Sequence, residues 1–228
     1  LTAPDRTDKP QSVVTIRHYQ SRDRSDVRAI ALETADIGRP IERILSFREA
    51  AADLLTRYYT DFEPESAWVA ERDGKVVGYI IGTVRPHYHE RIMQWRINPS
   101  SVFRAIGEGA LFHWSTWRLI ETGIMMSQSK SDPPKALLAQ YPAHLHINIR
   151  DGFRGGGVGR RLVETFSEHV GKSGLYGIHA RVRGDNEKSR KFFDKLGFNL
   201  IFESRLIKMY YLDGTEKEFR IATYGKKL

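Results

Sequence analysis

The sequence predicts a mixed α/β fold, and three observations predict it. The run His144-Leu-His-Ile-Asn-Ile-Arg-Asp-Gly-Phe-Arg-Gly-Gly-Gly-Val-Gly-Arg-Arg-Leu-Val-Glu-Thr-Phe166 reads as strand, glycine-rich turn and helix in immediate succession. β-rich runs flank Asp73-Gly74 and again Asp213-Gly214, a dipeptide favoured in two-residue hairpin turns. Alternating and helical patterns then succeed one another as strand, two helices, hairpin, insertion, strand, helix, strand, helix, hairpin.

Each element has its own signal. Residues 1–11 are polar with two prolines and read as a disordered tail, leaving 12–228 as one domain. Val13 to His18 alternates as a strand. Ser21 or Asp23 caps a helix through Val27, Ile30, Ala31 and Ala35 that ends at Gly38, and Pro40 opens the next. Phe47 to Tyr59 continues with helical spacing. Ala67 to Arg72 and Lys75 to Val84 form the first hairpin. Residues 85–141 are too long a stretch for a structureless loop and read as an insertion. Within it, Pro99-Ser-Ser precedes a long helical pattern from Val102 to Ile120, flawed by Gly107 and Gly109, and Ser127 to Lys135 reads as a loop. Tyr176 to Val182 is a strand. Asp185-Asn186 caps a helix, Glu187 to Leu196, which Gly197 closes with Phe198 beyond it. Asn199 to Leu212 and Lys217 to Tyr224 form the second hairpin.

Composition narrows the function. With 228 residues, 40% hydrophobic and 28% charged, the chain has the make-up of a soluble domain with a full core. No run approaches the apolar length of a membrane span and the start lacks a signal-peptide pattern, so a cytoplasmic protein without a membrane partner is expected. Zero cysteines exclude disulfides, thiolate metal sites and a cysteine nucleophile. The net charge of +8 suits either nucleic acid or an anionic membrane, or else a polyanionic small ligand beside scattered solvated lysines and arginines. The basic residues form no long block, which favours the small ligand. Arg150, Arg154, Arg160, Arg161, Arg181, Arg183, Lys188, Arg190, Lys191 and Lys195 gather around the glycine turn and the segment after it.

That turn suits a phosphate. Gly155, Gly156, Gly157 and Gly159 let the backbone take positive φ and approach a ligand closely. Val158, Leu162, Phe166 and Val170 recur at helical spacing behind them, so a helix N-terminus with its orphan N–H groups faces the same place. The spacing of a dinucleotide-binding turn is not convincingly met, and no G-K-[ST] ends the turn. What fits is R-x-x-G-x-G, as Arg154-Gly-Gly-Gly157-Val-Gly159, with Asn186-Glu-Lys-Ser189-Arg-Lys-Phe192-Phe193-Asp-Lys-Leu196-Gly197-Phe198 about thirty residues later.

Together these motifs resemble the GNAT superfamily of acetyl-CoA-dependent N-acetyltransferases, whose signature is the arginine-glycine turn and an N-x-x-A-x-x-[LF]-Y-x-K-x-G-F helix. Tyr141-Pro-Ala-His-Leu-His resembles more narrowly the bacterial relatives of the acetyltransferase-like domain beside animal O-GlcNAc-removing hydrolases. The resemblance implies a mostly antiparallel sheet flanked by helices, with the helical insertion 85–141 between the third and fourth strands. It implies acetyl-CoA as co-substrate and a primary amine, small-molecule or protein, as acceptor. Arg154, Gly155, Gly156, Gly157, Val158, Gly159 and Arg160 would hold the pyrophosphate. Ile147, Asn148 and Ile149 would pair with the pantetheine arm where their strand splays from the next. Asn186 and Ser189 would contact that arm, and Phe192 or Phe193 would wall the thiol end.

The chain departs from the pattern at Phe193, where many members carry a tyrosine that protonates the leaving thiolate. Tyr141 and Tyr176 are candidates to replace it. For the base, His144 and His146 share one face of the strand, as imidazoles that titrate near neutrality. Arylalkylamine-type members carry a histidine pair on this strand, one residue further from the arginine; the offset flips the face unless a bulge absorbs it. Asn148, on that face, can orient a substrate but cannot act as a base. His87, His89 and Glu90 lack a third well-spaced ligand, so no metal is expected. The alternative reading is an inactive acyl-CoA-binding or scaffold domain, and a homodimer is left open.

Overall fold

A computed structural model describes residues 13–112, 117 and 132–228. The tail expected over residues 1–11 lies outside the described residues. The chain runs through β1 (Thr15–His18), α1 (Arg24–Thr34), α2 (Arg48–Asp61) and the hairpin β2 (Ala67–Arg72) and β3 (Lys75–Thr83). Next come α3 (Pro86–Ile92), a π-helical turn (Met93–Ile97), α4 (Asn98–Gly107) and the short α5 (Lys135–Leu138). The second half holds β4 (Ala143–Ile149), α6 (Val158–Lys172), β5 (Gly177–Arg183), α7 (Glu187–Lys195), β6 (Asn199–Glu203), β7 (Ile207–Tyr210), β8 (Glu216–Phe219) and β9 (Ile221–Lys227).

Seven strands form one sheet in the order β1-β2-β3-β4-β5-β9-β6. Every neighbouring pair is antiparallel except β4 and β5. Its first hairpin turns at Asp73 (φ 52°) and Gly74 (φ 73°), two successive left-handed residues that match the twist of the strands.

Helices cover both faces. On one side Leu162, Phe166 and Val170 of α6 are fully buried against Ile80, Leu145 and Ile178, and each such side chain contributes roughly 1.5–3 kcal/mol. Gly82 makes this approach feasible, since a Cβ there would lie 2.3 Å from the Phe166 ring. On the other side Val27, Ile30 and Ala31 of α1 and Tyr58 and Tyr59 of α2 pack against Val69, Tyr79 and Ile81.

The second hairpin differs from the expected pair of long strands. β7 and β8 form a separate ribbon about Asp213-Gly214, while β6 and β9 join the main sheet. Buried Ser204 sits at the break: its hydroxyl accepts the Ile221 N–H at 2.8 Å and donates to the Arg205 carbonyl at 2.8 Å. A side chain thus takes ladder partners and lets both strands turn. Pro40 opens only a single turn, Ile41–Arg43, because the Arg43 carbonyl accepts the Leu212 N–H. The helix after Pro99 stops at Gly107, with Gly109 at φ 84°. Trp114, Leu119 and Ile120, together with most of the loop read at 127–135, lie outside the described residues.

Candidate active site

β4 carries the site on two faces. His144, His146 and Asn148 alternate with Leu145, Ile147 and Ile149. The register with β3 runs without a break from Thr83↔His144 to Gly78↔Ile149, so no bulge absorbs the one-residue offset. The histidines share the face of Tyr79 and Ile81, toward α1 and α2, whereas Leu145, Ile147 and Ile149 lie on the α6 side.

β4 and β5 pair only at Ala143↔Ile178 and His144↔His179. Beyond these positions the parallel strands diverge, so the Ile147-Asn148-Ile149 stretch has no ladder partner on β5. That stretch leads into the turn, where Gly155, Gly156 and Gly157 take φ of 91°, 44° and 77°. Three successive left-handed residues favour glycine. Nothing lies within 4 Å of a Cβ built on any of the three, so the space in front of the turn is open. Gly157 is the N-cap of α6, and Val158 starts the helix.

Gly159 is constrained differently. A Cβ there would come within 2.9 Å of the Phe192 ring and 3.4 Å of Ile149, so α6, α7 and the end of β4 converge on it. Arg154 folds back: its Nε donates to the Ile149 carbonyl at 2.9 Å and Nη1 pairs with Asp151 at 2.8 Å. Its guanidinium also packs 3.1 Å from a Cβ built on Gly38, in the α1–α2 connection. Arg160 is exposed, with Glu164 at 3.9 Å. Asn186 caps α7, its Oδ1 accepting the Ser189 N–H at 3.1 Å. At the other end of α7, Gly197 has φ 77° and the Phe198 N–H donates to the Phe193 carbonyl, the glycine-type stop read from the sequence. Phe192 is half-buried, and Phe193 is buried among Phe198 and Tyr224.

The two tyrosines raised as substitutes precede the paired positions, at the end of the sheet opposite the glycine turn. The Tyr176 hydroxyl donates to the Ala139 carbonyl at 3.1 Å, and the Lys227 ammonium lies 4.5 Å from the Tyr141 ring centroid. Neither hydroxyl faces the divergent end of β4 and β5.

Around the histidine pair the structure gathers Tyr59, His89 and His179, which no sequence pattern links to it. The Tyr59 hydroxyl is 2.7 Å from Nε2 of His144. His89, His144, His146 and His179 form a cluster, with ring centroids of His144 4.7, 5.6 and 5.5 Å from the other three respectively. Asn148 donates from Nδ2 to the Tyr79 hydroxyl at 2.7 Å, and His179 Nδ1 lies 2.7 Å from the Tyr141 carbonyl. Tyr59 reads as one more apolar position of a helix, and His89 reads only as a weak metal ligand. Among the described residues no group of three or more His, Asp or Glu side chains is placed to hold a metal ion.

Electrostatics keep these rings neutral. Burial, followed by repulsion from His146, His89 and His179, holds His144 well below the usual imidazole range. Burial pushes His89 down to about 4, opposed by Glu63 and Glu90. His146 is lowered by the crowding of protein around it and then by His89, His179 and Arg181; the residue is exposed, so water screens part of that effect. Burial lifts the Tyr59 and Tyr79 phenols far above their ordinary range. A neutral imidazole at pH 7 can accept a proton.

A mixed sheet with one splayed parallel pair, a left-handed glycine turn and a helix behind it is a fold that this chain shares with solved acetyltransferase structures. A family model described as FR47-like protein matches residues 136–207, which contain both sequence motifs. Among solved structures, the chain is similar to SsHAT, with 24% identity over 94% of this chain and 98% of that chain and a TM-score of 0.68. Ribosomal-protein-alanine N-acetyltransferase from Brucella melitensis matches with 18% identity, 94% and 99% coverage and a TM-score of 0.55. The structure of yncA from Salmonella typhimurium with its cofactor acetyl-CoA matches at 14% identity, 95% coverage of each chain and a TM-score of 0.54. Among the described residues no helix is long and apolar enough to cross a membrane.

Proposed function

We propose that the protein is an N-acetyltransferase that moves acetyl from acetyl-CoA to a primary amine by direct attack on the thioester. The observation that carries this reading is the divergence of β4 from β5 immediately before three left-handed glycines whose front is open. The residues fit the co-substrate. Amides from Arg154 to Arg160 and the start of α6 suit a pyrophosphate, and the unpaired β4 stretch Ile147-Asn148-Ile149 suits an amide-bearing arm. Asn186 and Ser189, joined at the start of α7, contact the arm in this reading, Phe192 supplies a wall, and Phe193 backs that wall from the core.

The thioester supplies an electrophilic carbonyl. An amine is protonated at neutral pH, so His144 or His146 takes its proton, and Asn148 helps position it. A β4 backbone N–H steadies the charge that develops on the carbonyl oxygen. A thiol with a reference pKa near 8.5 leaves without a dedicated acid, at some cost in rate.

Phe193 favours a second reading, an acyl-CoA-binding domain without turnover, because it lacks the hydroxyl common at this position. Following free thiol with acetyl-CoA and panels of small amines and peptides separates the two. Amine-dependent release above hydrolysis supports the enzyme; CoA binding with no acceptor response across the panels supports the scaffold. The acceptor is decided in this proposal by residues 85–141, whose helix α3 brings His89 to the histidine cluster.

A further inference from the structure

A buried phenol joins two imidazoles from different elements. The Tyr59 oxygen lies 2.7 Å from Nε2 of His144 on β4 and 3.4 Å from Nε2 of His89 on α3. A hydroxyl has one proton to give and lone pairs to accept with, so it can donate to one ring while accepting from the other. Tyr59 is 4% exposed, whereas His89 is only half-buried. His144 is half-buried as well, so the buried hydroxyl links two rings that each reach the surface from a different element.

The charges around them give this line a direction. The groups acting on His144 are His146 on its own strand, His179 and Arg181 on β5 and His89 on α3, all cations when charged. His89 is faced by Tyr58 and Tyr59 of α2, and Glu63 and Glu90 act on it from nearby. Glu63 is fully buried. It accepts from the Tyr58 hydroxyl at 2.6 Å, from Ser66 at 2.8 Å and from the Val84 N–H at 2.8 Å, and the Tyr58 ring meets the His89 ring edge to face at 4.4 Å. Burial disfavours a positive charge at both rings, but carboxylates offset part of that cost at His89, whereas every neighbour acting on His144 adds to it.

We propose that His144, Tyr59 and His89 form a proton exit, by which the proton lost by the acceptor ammonium leaves the site for water. The proposal rests on the acetyl-transfer reading above. His144 binds the incoming proton on Nδ1 and releases the one on Nε2 to the Tyr59 oxygen. Tyr59 passes its own proton to Nε2 of His89, and His89 gives the proton on Nδ1 to water. One proton enters, one leaves, and no ring or phenol keeps a net charge. Tyr59 and His89 do not touch the acceptor; they are positioning residues that act through His144.

The test is thiol release by the full chain with acetyl-CoA and its best amine, across roughly pH 6 to 10. Tyr59→Phe keeps the ring and removes only the hydroxyl. It should lower kcat about 10-fold near pH 7, and the deficit should close as pH rises and the amine arrives unprotonated. CoA affinity by calorimetry should not change. His89→Gln should behave alike, regain rate with added imidazole, and add nothing to Tyr59→Phe in the double variant. Should Tyr59→Phe fold poorly, His89→Gln carries the test alone, since α3 is at the surface. A parental pH profile in the variants, or fully additive losses, overturns the exit while leaving acetyl transfer intact. No amine-dependent release by the parent overturns the acetyl-transfer reading itself, and the exit with it.

Discussion

The ring of Phe193 stacks on that of Tyr224, with 6.0 Å between centroids and 26° between planes. Phe198 closes on it edge to face at 5.2 Å, and Phe193 is 4% exposed. At this position the motif helix therefore holds a core side chain that ties α7 to β9. Phe193→Ala should lose about 3–5 kcal/mol of stability. Urea unfolding measures it, and a loss below about 1 kcal/mol would mean that the ring is not seated as described.

The glycines around the turn should separate by role. Gly157 has φ 77° with nothing within 4 Å of a built Cβ, so Gly157→Ala meets strain of about 1–2 kcal/mol and no clash. Melting should fall modestly while CoA affinity falls by an order of magnitude or so, equivalent to about 1.4 kcal/mol. Gly82→Ala is the contrast. Its Cβ would lie 2.3 Å from Phe166 and 2.4 Å from the His144 carbonyl, and overpacking of about 3 kcal/mol should lower stability first. Equal effects of both changes on CoA binding and melting would remove the distinction.

These contrasts mark what could be read from the sequence. Period, turn chemistry and capping are local, so the hairpin at Asp73-Gly74, the α6 stripe from Val158 to Val170 and the Asn186 cap with its Gly197 stop were all legible. The break at Ser204 was not. Its hydroxyl meets Ile221, seventeen residues away, and no window of sequence contains that contact. The candidate site divides in the same way. Turn and strand lie on one continuous stretch with a characteristic spacing, whereas Tyr59, His89 and His179 reach His144 only through the packing of α2, α3 and β5 around β4.

Asp36 fixes the connection between α1 and α2 to the far half of the sheet. Buried at 2% exposure, it accepts from Arg183 at 2.7 Å and from the Tyr211 hydroxyl at 3.1 Å, and it pairs with Arg43. The Arg183 side chain is itself only 12% exposed. Removing one member of a buried charged network strands the others, so Asp36→Ala should cost about 3–5 kcal/mol. Asp36→Asn keeps an acceptor oxygen and should cost less. The ordering of the two variants in equilibrium unfolding checks this, and an Asp36→Ala protein as stable as the parent would dismiss it.

The histidine cluster makes stability depend on acidity. His89, His144 and His179 all have folded-state pKa values below the reference of 6.5, chiefly through burial, and His89 reaches about 4. Between that value and 6.5 the unfolded chain binds more protons than the folded one, so stability rises with pH across this window and falls on acidification. Above about 6.5 both states are neutral and the dependence ends. Each ring that stays neutral contributes a slope of at most about 1.4 kcal/mol per pH unit. His146 contributes less, since water reaches it. Asp23 and Asp61 shift downward from 3.8, so their contribution is lost only at lower pH and leaves this window to the imidazoles. Urea unfolding at about pH 7, 6 and 5 should give steadily smaller free energies, and His89→Gln should flatten the slope. A stability unchanged between about pH 7 and 5 would mean that these rings protonate in the folded protein as they do in water.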